Sequence, residues 1–177
     1  MQSLNKSRTM VVRDKPIILF DIDYTLFDTA LFKKTNFSQY SLYKEVPEVL
    51  STLSKKFILG IFSQGEETLQ TSKLKATKID HFFQKEHIYI ESEKEEEIKK
   101  IGEKYKDAHL YMADDKLPLL FLMKKHYPRI FTIWIKRGVY AENQDPVPGF
   151  TPDAIMENLS GIIPLIDQKH GITLHSR

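Results

Sequence analysis

Two short, unbroken apolar runs constrain this chain more than any other feature. Ile17-Ile18-Leu19-Phe20 and Phe57-Ile58-Leu59-Gly60-Ile61-Phe62 contain no polar residue. A strand with one wet face alternates apolar and polar residues, whereas a strand covered on both faces of a parallel sheet reads as a continuous apolar run. Both runs are strand-sized and far below a membrane span. Between them, Val49, Leu50 and Leu53 recur at helical spacing behind Pro47, which suits a first helical turn.

The alternation continues to the end of the chain. His87–Ile90 reads as a short strand, and residues 93–106 as a helix with Ile98, Ile101 and Tyr105 on one face. The glutamates at 93–97 fall in its first turns, where the helix dipole favours negative charge. Ala108–Ala113 is the next strand, and a helix opens near Leu117-Pro118. Arg129–Ile135 is a further strand and Tyr140–Thr151 a loop. A strand at Ala154–Met156 and a helix around Leu159–Ile166 close the domain. The expected fold is α/β: one three-layer, doubly wound, Rossmann-like domain with a mainly parallel sheet and no sizeable cap. Its core spans about residues 16–166, with residues 1–14 and 167–177 as loose termini. A chain of 177 residues suits one such core, since chains of this size bury roughly 70% of their unfolded surface.

Composition narrows the function classes. Twenty-six basic and 24 acidic side chains leave a net charge of +2, so bulk charge gives no signal for nucleic acid or membrane. The absence of cysteine excludes disulfides, thiolate catalysis and thiolate-bound zinc. The polar segment MQSLNKSRTMVVRDKP lacks the apolar core of a secretory signal, so a cytoplasmic location is expected.

Ligands of open parallel sheets bind beyond the carboxyl ends of the strands. Asp21-Ile22-Asp23-Tyr24-Thr25 follows the first strand, Ser63-Gln64-Gly65 the second, Ser92-Glu93-Lys94 the third and Asp114-Asp115 the fourth. Asp21 and Asp23, two residues apart in an extended segment, face one side, and their repulsion needs a compensating charge. A divalent cation supplies it. With Asp114 the donor set is all carboxylate, which points to Mg²⁺ rather than zinc.

The run Asp21-Ile22-Asp23-Tyr24-Thr25 resembles the first motif of the haloacid dehalogenase (HAD) superfamily. Ser63 resembles its second motif, Lys94 its third and the Asp114-Asp115 pair its fourth. The resemblance implies a phosphatase-like member. Asp21 would be the nucleophile that carries an aspartyl phosphate. Asp23 would be the general acid and base, and its presence favours phosphoryl transfer over carbon–halogen cleavage. Asp21 and Asp114 would ligate Mg²⁺ through carboxylates and Asp23 through its backbone carbonyl. Ser63, backbone amides around Gln64 made approachable by Gly65, and Lys94 would bind the phosphoryl oxygens. Lys85, Lys99 and Lys100 compete with Lys94 for that place. Lys94 is preferred because it follows a strand and opens a helix.

Other residues around the motifs have supporting or open roles. Thr25 would shape the turn, and Asp115 would either reach the metal through water or orient Asp114. Tyr24 either reaches toward the leaving group or packs over the site. Asp28 with Thr29 reads as a helix cap, and Arg137 beside Gly138 as an exposed arginine.

Neither the stretch after the first motif nor Gly65–His87 is long enough to fold as a cap. The site is therefore open or covered by the aromatic segment Phe27–Tyr43; the resemblance to capless members of the superfamily implies action on macromolecular phosphates or a lid from a second copy of the chain. The aromatics Phe32, Phe37, Tyr40 and Tyr43 could equally pack onto the sheet edge. Nothing in the sequence separates a nucleotide, sugar phosphate, phosphoprotein or nucleic-acid end as substrate. A regulatory module without turnover and a phosphotransferase with an acceptor other than water are the rival readings.

Overall fold

The computed structural model describes residues 15–170. The expected termini 1–14 and 171–177 lie outside the described residues. Six strands, β1 (Ile17–Phe20), β2 (Ile58–Gln64), β3 (Ile88–Glu91), β4 (Leu110–Asp114), β5 (Phe131–Ile135) and β6 (Ala154–Met156), form one sheet in the order β3-β2-β1-β4-β5-β6. Every pairing is parallel. The helices are α1 (Thr29–Lys34), α2 (Val46–Leu53), α3 (Glu67–Ala76), α4 (Lys94–Lys104), α5 (Leu117–His126), α6 (Gly138–Asn143) and α7 (Ile162–His170).

Alternation along the central strands builds two cores. Ile18 and Phe20 of β1 face α2, α3 and α7 through Leu50, Leu53, Leu74, Ile162 and Ile166. Ile17 and Leu19 face α4 and α5 through Ile98, Ile101, Leu120 and Met123. All four β1 side chains are buried, as the unbroken apolar run requires. On α2, Val46, Val49, Leu50 and Leu53 are buried at helical spacing, and each fully buried Val or Leu contributes roughly 1.5–3 kcal/mol.

Register then positions the chemistry. Phe20 pairs with Ile61 on one side and Ala113 on the other. The Asp21 N–H continues the ladder to the Ala113 carbonyl at 2.9 Å. Asp21 is thereby level with Asp114 at the point where strand order reverses, between β1 and β4.

Two expectations change. Tyr140–Thr151 is not all loop, because α6 occupies Gly138–Asn143. It is short, buries only Ala141 and opens on a glycine, so no amphipathic repeat announces it. The expected loose tail from Asp167 is helical to His170, because α7 carries on past Ile166, which is buried in the core. No cap interrupts the described residues: α1 and α2 link β1 to β2, and α3 with two short 3₁₀ turns links β2 to β3. None of the described helices is long and apolar enough to cross a membrane.

Candidate active site

Beyond Phe20 the chain turns sharply. The Leu26 and Phe27 amides both donate to the Ile22 carbonyl, at 2.9 and 2.8 Å, and Tyr24 takes a left-handed φ of 58°. Arg137 clamps this turn. Its guanidinium donates to the Tyr24 carbonyl (3.1 Å), the Thr25 carbonyl (2.6 Å) and Glu45 Oε1 (2.7 Å), and stacks 3.5 Å from the Tyr43 ring centre. Arg137 is therefore not the exposed arginine its sequence context suggests. The tertiary fold commits two of its donors to a turn 112 and 113 residues earlier in the chain and a third to Glu45.

Asp21 is buried, and both of its close partners meet Oδ1: Lys94 Nζ at 2.7 Å and Ser63 Oγ at 3.1 Å. Lys94, the first residue of α4, also donates to Asp114 Oδ2 at 2.5 Å. Lys85, Lys99 and Lys100 are exposed. Burial pushes the Asp21 carboxyl up to about 6, with Lys94 opposing and Asp114 and Asp23 adding to the rise. Burial works against the Lys94 charge, but Asp114 and Asp21 outweigh it and raise its proton affinity.

Asp23 turns away into a second cluster. Lys73 Nζ donates to both its oxygens, at 2.7 and 2.8 Å, Gln70 Nε2 to Oδ2 at 2.8 Å and Thr29 Oγ1 to Oδ1 at 2.5 Å. Burial would raise its pKa, yet Lys73, Thr29 and Gln70 prevail and hold it below the ordinary carboxylate range. Gln70 also donates to the Gln64 carbonyl at 2.7 Å and lies 3.3 Å from Ser63 Oγ, so one amide ties Asp23 to the end of β2. Gly65 makes room for it: a Cβ there would lie 2.8 Å from Gln70 Nε2. Sequence reasoning missed Gln70 and Lys73, both buried on α3. Asp28 caps α1 through Leu31 N at 2.9 Å, while Thr29 adds its hydroxyl to Asp23.

The fourth strand end supplies two acids. Asp114 Oδ1 accepts the Lys116 N–H at 2.7 Å. Asp115 Oδ2 is buried without a hydrogen-bond partner, and burial, then Asp114 and Asp21, push that carboxyl up to about 9. Carboxylate oxygens of Asp21, Asp114 and Asp115 lie within 4.8 Å of one another. An orphaned buried oxygen beside two further carboxylates fits a hard divalent cation, which would supply the charge these acids lack. The Asp23 carboxylate is outside this group, paired with Lys73.

The remaining expected residues are distributed around this centre. The Gln64 side chain is held by Ser92, Glu93 and Lys116. Thr25 Oγ1 is buried without a partner, and its carbonyl serves Arg137. The Tyr24 hydroxyl accepts from Lys33 at 3.3 Å. A cavity of about 260 Å³ opens over Asp21 and Asp23, with Lys73, Gln64, Asp115 and Lys116 around its floor and Phe37, Leu69 and Tyr140 at its rim. The aromatic segment is thus divided: Phe27 and Phe32 are buried, and Phe37 remains exposed at the cavity.

No protein-family model matches the chain, and no curated protein matches it in sequence. Solved structures do. A haloacid dehalogenase-like hydrolase from Burkholderia xenovorans LB400 superposes with a TM-score of 0.72 at 18% identity, covering 90% of this chain and 100% of that one. The chain has the haloacid dehalogenase-like fold. The magnesium-bound HAD-hydrolase YfnB from Bacillus subtilis gives a TM-score of 0.65 at 13% identity, with 87% and 99% coverage. A predicted phosphoglycolate phosphatase from Haemophilus somnus 129PT gives 0.64 at 14% identity, with 89% and 100% coverage. On this HAD fold the four expected strand ends meet at one pole of the sheet, beneath the cavity.

Proposed function

We propose that the chain is a Mg²⁺-dependent phosphomonoesterase that works through an aspartyl phosphate on Asp21. The observation that carries this reading is the division of two neighbouring carboxylates into different environments at one cavity. Asp21 is set against Lys94 and the Asp114–Asp115 pair, and Asp23 against Lys73. Separating two carboxylates in this way assigns one to attack and the other to proton transfer.

In the first displacement an Asp21 oxygen forms a bond to phosphorus as the bond from phosphorus to the ester oxygen breaks. The proton that the leaving oxygen needs comes from Asp23, which acquires it when the negative phosphoryl group enters beside it and raises its proton affinity. In the second, Asp23 removes a proton from water as that water attacks phosphorus, and phosphate leaves with Asp21 restored. Lys94 balances charge on Asp21 throughout, and Ser63 donates toward the phosphoryl oxygens. Asp21, Asp114 and Asp115, with the Asp23 carbonyl, would hold Mg²⁺, whose charge when bound offsets that of the carboxylates and the phosphoryl group. The magnesium bound to YfnB, on the same fold, agrees with that choice of ion.

The test is phosphate release from a panel of simple phosphomonoesters, with and without Mg²⁺, against an Asp21→Asn control. Metal-dependent release that the control lacks is expected. Equal release by both proteins, or none from either, would remove the reading; transfer of phosphate to an added alcohol at the expense of water would recast the enzyme as a phosphotransferase.

A further inference from the structure

The rim of the cavity carries information its floor does not. Six large hydrophobic side chains are exposed among the described residues, and three of them, Phe37, Leu69 and Tyr140, line this one cavity. Both rings are held in place while a large part of each stays uncovered. Tyr140 is 50% exposed, although its ring meets Tyr24 edge-on at 5.8 Å and the Lys116 ammonium lies 5.3 Å from its centre. Phe37 is 60% exposed, with its ring 5.4 Å from Phe32.

The backbone under Phe37 is unusual as well. Asn36 and Phe37 take φ of 51° and 61°, two successive left-handed residues, and left-handed backbone disfavours a bulky side chain. The Phe37 N–H donates to the Phe32 carbonyl at 2.8 Å, which holds the backbone of this turn under the ring. A strained turn that keeps an aromatic ring in water calls for a partner for that ring.

We propose that the cavity selects phosphomonoesters whose leaving group carries a planar ring, with Phe37 and Tyr140 as the surfaces it packs against. This rests on the phosphatase reading above. The charged end of such a ligand sits at Asp21, whose charge Lys94 offsets from behind, and its ring meets the aromatic rim, with Leu69 completing the apolar edge. Lys116 sits over the Tyr140 ring and Lys33 over the ring of Tyr24, which also lines the cavity, and both disfavour a cationic ring. The volume of about 260 Å³ suits a phosphate with one ring system better than an extended chain, since pockets for larger ligands run to roughly 1,000 Å³. An aryl phosphate and a nucleoside monophosphate share this chemistry.

The experiment is calorimetric binding of phenylphosphonate and methylphosphonate, neither of which is hydrolysed, in the presence of Mg²⁺. Wild type, Phe37→Leu, Tyr140→Leu and Ile155→Ala are compared. Leucine keeps apolar bulk and loses the ring, and Ile155 is an exposed aliphatic outside the cavity lining. Wild type and Ile155→Ala are expected to favour phenylphosphonate by about tenfold, and each ring variant to reduce that preference about fivefold. Equal affinity for the two phosphonates, no binding of either, or a preference that neither ring variant moves would overturn the proposal. A phenyl preference in a protein that releases no phosphate would instead leave ring recognition standing and remove the phosphatase reading. The ratio of kcat/KM for phenyl phosphate to that for adenosine monophosphate then tells the two sources apart, and loss of either activity in Phe37→Leu supports the ring contact.

Discussion

The Lys73 ammonium lies 2.7 and 2.8 Å from the two carboxylate oxygens of Asp23, 50 residues earlier in the chain. Lys73 is almost wholly buried and Asp23 is open to the cavity on one side. The pair stands beside a second one, Lys94 with Asp21, so each carboxylate of the first motif has its own cation.

Removing one partner of such a pair leaves an uncompensated charge in a poorly solvated place. Lys73→Met is expected to cost about 1–3 kcal/mol, less than a fully buried pair because water reaches Asp23. Urea unfolding at neutral pH checks this against Lys75→Met, an exposed lysine on the same helix, which should stay within about 0.5 kcal/mol of wild type. Phosphate release should fall sharply in Lys73→Met alone.

Asp115 gives a prediction that separates metal binding from folding. Burial, with Asp114 and Asp21, pushes its carboxyl up to about 9 and so favours the neutral form in the metal-free protein, for which Asp115→Asn is nearly isosteric. Thermal unfolding without metal should therefore change little. Stabilisation by Mg²⁺ should need about 10–100 times more ion in the variant. An unchanged Mg²⁺ response would remove Asp115 from the metal site.

Glu45 contributes stability that acid should abolish. Burial would raise its pKa, but the Arg137 hydrogen bond and charge hold it below its ordinary value of 4.5. A carboxylate depressed in the folded state stabilises fully above its unfolded pKa and loses that contribution as pH falls through the folded one. Wild type should thus melt above Glu45→Gln near pH 7, with the gap closing as pH drops below about 4.5. Melting curves from pH 7 to pH 3 measure it.

Gly138 and Gly149 form a matched pair. Both are left-handed, with φ of 79° and 74°, but a Cβ on Gly138 would sit 2.2 Å from Tyr24 Cδ1 and one on Gly149 would touch nothing within 4 Å. Gly149→Ala should cost about 1 kcal/mol for backbone alone. Gly138→Ala should cost about 1–3 kcal/mol more and should lower kcat/KM, because Tyr24 borders the cavity.

Local pattern carried much of this molecule. The unbroken apolar runs require strands covered on both faces, and alternation with helices requires a parallel sheet. A parallel sheet brings all its strand ends to one pole. That is why Asp21, Ser63, Lys94 and Asp114 could be grouped without coordinates, and why their proximity follows from register once Phe20 pairs with Ile61 and Ala113. The short α6 escaped because a glycine start and a single buried residue leave no periodic trace.

The sequence by itself determined the sheet, the pole at which the chemistry gathers and the residue types there. Only the tertiary structure decided how those charges are paired. Gln70 and Lys73 look like ordinary polar positions on a helix, yet α3 turns them inward onto Asp23. Arg137 looks exposed, yet it holds the turn after Asp21. Asp115 follows an acid of clear role, yet one of its own oxygens is buried without a partner. The physical reason is the same in each case. Strand and helix periods are set by near neighbours in the chain, whereas the partner of a buried charge is set by whichever distant element packs beside it.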